Sequence, residues 1–590
     1  MVKWFSRLHR IEKPIMKQLL ICLLLSLVVG CTKSDQNNKQ QSTAQPPENN
    51  QPAAKETDQT PQTGPQNGIS VSRETTRIMG PLDDAGYVDY LQALNDQASA
   101  GVNAKNNYEV IVRQVMTSEP ILEEMQTEYF RLLGIPVPDK GTPVYQDFVD
   151  FTLQGNTERQ QRDTLLDEQD RLMTKPWQAA EHPAASKWLA AQKKHLDQLV
   201  EGSRREKFYA PYLTAHSDED ASSSTVISML LPSVQQQREI VRGLKIRALG
   251  RIATGDLDNA WTDLQAIHRI ARHAGSGVTI IETLVGIVID SMAFEAEVYL
   301  LNSPGLTAEQ SKRFLADVQA LKPLPSIADR IDVGERFMAL DAATMLARSV
   351  HGKDPQQTII ELFKSLKLFG ALTSTTATRD LVTLVALEED SSKQKSQQVG
   401  NPIDWDSTLQ VLNHWYDKLV AAQRLKNSQQ RLAALAKLGQ ELEQLATNMT
   451  NPAKQLAAMA TDGSPKMLGE AIGNILLTIL MPAAKGIALA SDDAVTRTSV
   501  IRIGFALKLH THETGMVPNS LAELSPRYLE SIPVDPHSGS ALKYVPQEKG
   551  FLLYSVGRNG VDDQGKSAED AERAEGRQSD WDDIVLRVGS

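Results

Sequence analysis

Residues 244–273 have the sequence LKIRALGRIATGDLDNAWTDLQAIHRIARH. Apolar side chains recur at intervals of three and four on both sides of Thr254-Gly255-Asp256, which is the spacing of one helix face. The Gly-Asp pair is typical of a turn. We therefore predict one helix that ends at Ile252 and a second helix from Asn259 to Ala271.

The same periodicity continues through residues 80–490, where prolines separate the apolar segments. We predict a mainly α fold with an irregular all-helical domain over this range, including helices near 328–348, 356–368, 404–425 and 427–449. Thr307, with Gln310 three residues later, fits a helix start. Residues 255–264 also resemble half of a tetratricopeptide repeat. No second copy follows at the period of about 34 residues, which favours an irregular domain.

Composition excludes several kinds of site. The chain has 590 residues and a formal net charge of −11, which argues against nucleic acid as a partner. Its two cysteines, Cys22 and Cys31, both lie near the N terminus. If the signal described next is processed, no thiol remains for a disulfide, a thiolate metal site or cysteine catalysis.

An export signal is predicted at residues 1–30. Basic residues precede an apolar run from Leu19 to Val29, which is shorter than the roughly 20 residues of a membrane-spanning helix. The sequence Val28-Val29-Gly30-Cys31 resembles the lipobox of bacterial lipoproteins. The resemblance implies cleavage before Cys31 and lipidation of its thiol, so the chain would meet the membrane through a lipid anchor.

Residues 31–75 are rich in Gln, Asn, Pro and Thr and poor in apolar residues, which predicts a disordered tether. About 40 such residues reach roughly 35 Å. Thr32 follows the cysteine, whereas Asp at that position resembles the inner-membrane retention signal of lipoproteins. The expected location is the cell envelope, with the outer membrane favoured over the inner membrane.

Two further apolar stretches are expected to be buried or partner-facing helices. In residues 277–289, Gly277 and Glu282 resemble the processing site of type IV prepilins, but they lie far from the N terminus. Asp290 ends this run after about 12 apolar-rich positions, too few to span a bilayer. Lys485 interrupts residues 475–489, and a charge in mid-span is costly.

The pattern changes in residues 491–590, which predict a small α+β module. A helix is expected from Ile501 to His512, closed by Gly515. Residues 540–545, 551–556 and 584–588 have the composition of strands. This order predicts a long helix packed on a short antiparallel sheet.

The spacing within this module resembles the major pseudopilin of the type II secretion system. The matching positions are Ala506-Leu507, Gly515, Pro518, Leu521, Leu524, Tyr528-Leu529, Pro533, Asp535-Pro536, Gly539, Tyr544, Gly550, Tyr554-Ser555, Gly557, Gly560 and Asp583-Ile584. Residues 476–484 are similar to the apolar N-terminal helix of that family. No cleavable prepilin leader precedes Ile475, so the resemblance implies the fold rather than a working pilus subunit.

The C-terminal loop of that family binds calcium, and residues 555–565 with 580–583 correspond to it here. The resemblance implies a calcium site formed by Asn559, Asp562, Asp563 and Asp583. Calcium takes roughly six to eight oxygen ligands, which a glycine-rich acidic loop can supply. Asn559 stands where the family has Asp, a departure for which Asp562, Asp563, Asp582 and Asp583 could compensate. A solvated acidic turn is the alternative, and no other cofactor is expected.

Other chemistry has little support in the sequence. No phosphate-binding loop, zinc motif or serine-hydrolase elbow occurs. His510 and His512 cannot share a helix face, because side chains two positions apart diverge. His268 and His273, five positions apart, are also poorly placed for a shared ion. We expect each histidine at the surface or at a helix end, and we assign no catalytic residue.

These patterns predict a membrane-tethered envelope lipoprotein that acts as a helical binding or structural scaffold. Its expected partner is an envelope protein at a secretion or pilus-like assembly. The alternative is an envelope hydrolase with its site in the helical domain. That alternative predicts buried carboxylates or a histidine converging in one pocket. The acidic candidates are Asp256, Asp258, Glu282 and Glu335, but nothing in the sequence places them together.

Overall fold

The computed structural model describes residues 68–118, 120–139, 141, 143–155, 159–214, 226–351, 403–448, 464–481, 483–573 and 580–589. The predicted signal peptide, Cys31, most of the tether and the helix expected at 356–368 lie outside these residues. The described chain is mainly α-helical with a small antiparallel sheet, which confirms the predicted fold class. Ile69 and Thr75 are buried, so folded structure begins before the predicted end of the tether.

Six helices form the N-terminal part of the helical region in the described chain. They are α1 (Tyr90–Ser99), α2 (Tyr108–Val115), α3 (Glu123–Leu133), α4 (Phe148–Leu153), α5 (Arg159–Thr174) and α6 (Pro183–Gly202). Two short paired strands follow, β1 (Leu213–Thr214) and β2 (Met229–Leu230).

The predicted helical hairpin is confirmed as α7 (Pro232–Ala253) and α8 (Leu257–Gly275). Gly255 between them has a φ of 78°, a left-handed conformation that glycine adopts without steric cost. The next two helices, α9 (Ile280–Leu301) and α10 (Ala308–Ala320), both begin with capping boxes. The α10 box joins Thr307 and Gln310, as predicted.

The chain then forms α11 (Ile327–Arg330), a π-helical turn at Ile331–Glu335, and α12 (Arg336–Val350). Later helices are α13 (Trp405–Gln423), α14 (Ser428–Asn448), α15 (Pro465–Leu480) and α16 (Ala484–Thr514). Gly515 ends α16 with a φ of 76°, as the sequence predicts.

The C-terminal sheet contains β3 (Lys543–Gln547), β4 (Gly550–Ser555) and β5 (Ile584–Val588), in that order and antiparallel. Its first strand begins three residues later than predicted. A short helix, α17 (Ala568–Arg573), lies in the connection between β4 and β5. Tyr544, Leu553 and Leu586 stand in one row across the sheet. The sheet packs on α16 at Gly504, where an added Cβ would meet Leu586 at 2.6 Å.

Two hydrophobic cores organise the described residues. The first contains side chains from α2, from α4–α10, from the C-terminal half of α16 and from the sheet. The second contains side chains from α1, the start of α9 and α11–α16. A smaller cluster surrounds α3.

The long helix α16 joins the two cores. Ile487 and Ala488 near its start belong to the second core, whereas Phe505 and Leu507 belong to the first. Its 31 residues extend about 46 Å at 1.5 Å per residue. The predicted boundary at residues 490 and 491 falls inside this continuous helix.

One described segment, Pro465–Thr514, is long and apolar enough to cross a membrane by length and composition. Within its most apolar window, 59% of the residues are buried inside the fold. Burial of this kind is also typical of core helices in soluble proteins.

Candidate functional site

The loop that follows β4 turns back on itself and brings acidic residues together. Gly557 and Gly565 have φ values of 66° and 74°, which favour glycine. At Gly557 a side chain would also lie 2.3 Å from the carboxylate of Asp582. The tight turn therefore places the loop directly against residues 580–583.

Three carboxylates meet where these two segments touch. Asp563, Asp582 and Asp583 each offer a carboxylate oxygen, and these oxygens lie within 4.8 Å of one another. Asp583 is 3% exposed, and the other two are partly buried.

Backbone amides hold this cluster in place. Oδ2 of Asp582 accepts hydrogen bonds from the amides of Arg558 at 3.0 Å and Asn559 at 3.1 Å. Oδ2 of Asp583 accepts one from the amide of Gly565 at 2.8 Å. Among the described residues, no hydrogen-bond donor reaches the buried Oδ1 atoms of Asp582 and Asp583.

The electrostatics of the cluster are unfavourable without a cation. The pKa of Asp583 is raised to about 6, mainly by burial and also by the neighbouring carboxylates of Asp563 and Asp562, while the backbone amides of Gly565 and Asp563 oppose the rise. Burial also raises the pKa of Asp582. No lysine or arginine of the described ranges forms an ion pair with any of the three carboxylates.

These residues fit a calcium ion. Calcium prefers carboxylate, carbonyl and water oxygens, and two of the buried oxygens here receive no donor from the described part of the chain. Asp563, Asp582 and Asp583 would hold the ion, which would neutralise their mutual repulsion.

The structure separates the four residues of the sequence-based calcium prediction. Asp563 and Asp583 lie in the cluster, which Asp582 joins. Asp562 instead accepts the Tyr554 hydroxyl at 3.0 Å and pairs with Lys543 at 3.3 Å.

Asn559 forms hydrogen bonds that hold the loop, and its side-chain oxygen is not part of the carboxylate cluster. Its Nδ2 donates to the carbonyl of Asp580 at 2.8 Å and to Asp563 at 3.3 Å. Its Oδ1 accepts the amide of Val561 at 2.7 Å. Asp582, predicted from the sequence only as a compensating residue, takes the place in the cluster that was expected of Asn559.

Further contacts connect this loop, and the end of β4 before it, to other parts of the fold. Arg558, next to Gly557, donates to Asp493 of α16 at 2.8 and 3.0 Å. The Ser555 hydroxyl donates to Asp535 at 2.8 Å. Burial opposes ionisation of Asp493, but His537, Arg497 and Arg558 lower its pKa to about 2. The loop is thus attached to the helix that joins both cores.

A second cluster of ionisable side chains is buried between α8 and α9. Nδ1 of His268 lies 2.7 Å from Asp290, and Nε2 lies 2.8 Å from Glu297. Arg272 also pairs with Asp290. The expectation that His268 lies at the surface or a helix end is therefore wrong. His268 is 4% exposed, because α9 carries two carboxylates opposite it.

His273 lies in the last turn of α8, as expected for a helix-end histidine, although its side chain is buried. Its Nε2 lies 3.0 Å from the carbonyl of Ser203, and its ring stacks on Tyr108. Burial lowers its pKa to about 4. It is a neutral core histidine.

Glu282 and Glu335 meet at the start of α9. Glu282 completes the capping box with Thr279 and accepts the Tyr212 hydroxyl at 3.1 Å. Glu335 accepts the amide of Ile280 at 3.2 Å. Burial raises the pKa of both carboxyl groups, that of Glu335 to about 7. Their contacts are those of caps on a helix N terminus.

No protein family, curated protein or solved structure matches the chain. The structure alone therefore carries the argument about the site.

Proposed function

We propose that this chain is a lipid-anchored scaffold of the cell envelope whose C-terminal module binds calcium. The observation that carries the calcium proposal is the pair of buried carboxylate oxygens without hydrogen-bond donors, on Asp582 and Asp583. A third carboxylate, Asp563, lies beside them. Buried carboxylates of this kind need a counter-charge.

Calcium would act here as a structural cross-link. It would join the loop after β4 to the segment before β5, which are otherwise held by hydrogen bonds from backbone amides to Asp582 and Asp583 and by the bond from Asn559 to Asp580. Through Arg558 and Asp493 the same loop is attached to α16. Calcium would therefore stiffen one end of the module and leave the helical cores unchanged.

The scaffold proposal rests on the sequence signals for export and lipidation at Cys31. The proposed partner is an envelope protein at a secretion or pilus-like assembly, as the pseudopilin resemblance implies. Calcium at the loop after β4 would set the conformation in which the module meets that partner.

The hydrolase alternative has no specific support from the buried clusters. Both ring nitrogens of His268 contact carboxylates, and Glu282 and Glu335 cap a helix. His268 and its carboxylate partners join α8 to α9, and Glu282 and Glu335 hold the first turn of α9.

Two experiments on cells that express the full chain test the proposal. Fractionation should place the wild-type chain with the membrane and release Cys31→Ser into the soluble fraction. A Cys31→Ser chain that stays membrane-integral would contradict lipid anchoring. Cross-linking in intact cells should give an adduct with a membrane protein that EGTA weakens.

The calcium part of this experiment has a matched control. Asp583→Asn should weaken the adduct as EGTA does. Asp562→Asn, which removes a neighbouring carboxylate outside the cluster, should leave it unchanged. An adduct indifferent to both EGTA and Asp583→Asn would contradict a calcium-dependent scaffold.

A further inference from the structure

A polar groove of about 490 Å³ lies on the first core, far in sequence from the acidic loop. Helices α8 and α10 form its walls, and Arg204, just after α6, closes one side. Its volume is within the range of roughly 300–1,000 Å³ that is typical of small-molecule sites.

The base of the groove is rigid. Trp261 is 3% exposed, stacks on Phe314 with ring centroids 4.5 Å apart, and meets Phe505 edge-on at 5.3 Å. Its Nε1 donates to Asp317 at 2.8 Å. This packing fixes the face of α8 that lines the groove.

Two hydrogen-bond donors on that face meet no acceptor within the described ranges. Gln265 is 6% exposed, and Arg269 follows one turn later on the same face. Among the described residues, no acceptor reaches Nε2 of Gln265 or Nη1 of Arg269, and both atoms are buried. A buried donor without a partner is costly, so a ligand acceptor is the simplest explanation of the pair.

The charges around these donors favour an anion. Arg313 pairs with Asp258 at the rim, and Arg204 pairs with Glu201 at 3.1 Å. Arg269 forms no ion pair with a described residue. Burial and the nearby charge of Arg204 lower its pKa, and the more weakly acting carboxylates of Asp317 and Glu201 offset this only in part. Two guanidinium groups that face one cavity are stabilised by an anion between them.

We propose that this groove binds a small molecule through an oxyanion, a carboxylate or a phosphoryl group, held by Gln265, Arg269 and Arg204. The rest of the molecule would face Thr262, Asp258 and Asp317, whose oxygens suit hydroxyl or ammonium groups. The site is independent of the proposed calcium site and of the lipid anchor.

Calorimetric and thermal-shift titrations of the full mature chain with sodium phosphate, and separately with sodium succinate, test this proposal. Sodium chloride at matched ionic strength controls for salt. Saturable binding of phosphate alone would identify a phosphoryl ligand, and saturable binding of succinate would identify a carboxylate. Absence of saturable binding by both anions would overturn the proposal.

Variants locate the binding. Gln265→Leu should weaken binding roughly tenfold, as expected for loss of a hydrogen bond to a charged group. It should also leave the melting temperature without ligand unchanged or raised, because it removes an unsatisfied donor. Arg269→Gln should weaken binding by at least as much.

The matched control is Arg131→Gln, at an exposed arginine outside the groove. Arg131→Gln should bind the anion as tightly as wild type. If Gln265→Leu and Arg269→Gln bind it equally tightly, the anion binds elsewhere and the proposed site is refuted.

Discussion

Replacement of His268 by glutamine should make the stability of the first core less sensitive to pH. Burial alone would lower the pKa of His268, but Glu297 and Asp290 outweigh it and raise the pKa to about 9. The unfolded value is about 6.5, and each pKa unit corresponds to about 1.4 kcal/mol, so the charged imidazole contributes about 3 kcal/mol to folding.

The sign of the pH dependence follows from the raised pKa. The stabilisation is fully present below the unfolded pKa of about 6.5 and is lost as the pH rises through about 9. His268→Gln should therefore cost about 3 kcal/mol near pH 6, because it removes the cation that pairs with Glu297 and leaves Asp290 with Arg272 alone. The cost should shrink near pH 10, where the wild-type imidazole is neutral.

Urea unfolding followed by circular dichroism at about pH 6, 8 and 10 measures this difference. His182→Gln is the matched control, because His182 is partly exposed and pairs with Glu168 at 3.2 Å. Its cost should stay below about 1 kcal/mol. A wild-type stability that is flat between pH 7 and 10, or equal costs for the two variants, would refute the reasoning.

Three further predictions concern the acidic loop and one helix cap. Calcium affinity measured by calorimetry should fall below pH 6, where Asp583 protonates. Without calcium, thermal melting should show the opposite trend: the module should become more stable as the pH falls through 6. Gly557→Ala should destabilise the module by about 1–3 kcal/mol and weaken calcium binding. Gly560 has a similar φ, but no atom lies within 4 Å of an added Cβ, so Gly560→Ala should lose less stability. Equal losses in thermal melts would contradict the role given to the Asp582 contact. Thr307→Ala should cost about 1 kcal/mol through loss of the α10 cap, measured by urea unfolding.

The sequence predicts the local features of the fold well. Gly255 and Gly515 end helices with the left-handed conformation that glycine favours, and Thr307 with Gln310 forms the predicted cap. These features depend on residues within one or two turns of each other. Their signals are therefore visible in a single sequence.

The buried charges could not be predicted in the same way. The partners of His268 lie 22 and 29 positions away, and no periodicity shows that α8 and α9 face each other there. In the sequence, Glu282 fits the spacing of a processing motif, whereas in the structure it forms a capping box with Thr279 at the start of α9. Long-range packing gives these residues their roles.

The acidic cluster could be predicted from the sequence only in part. The acidic loop is evident from composition, and Asp563 and Asp583 lie together in the structure. The exclusion of Asp562 depends on where Tyr554 and Lys543 point, which the spacing does not reveal. Asp582 joins the cluster because Gly557 allows the loop to approach it.

Calorimetric titration of the full mature chain with calcium tests the central claim most directly. Wild type and Asp562→Asn should bind one ion with saturable heat and an increase in melting temperature. Asp583→Asn should lose both signals while keeping its circular dichroism spectrum. No saturable heat in wild type, or equal binding by Asp583→Asn, would contradict a calcium site formed by Asp563, Asp582 and Asp583.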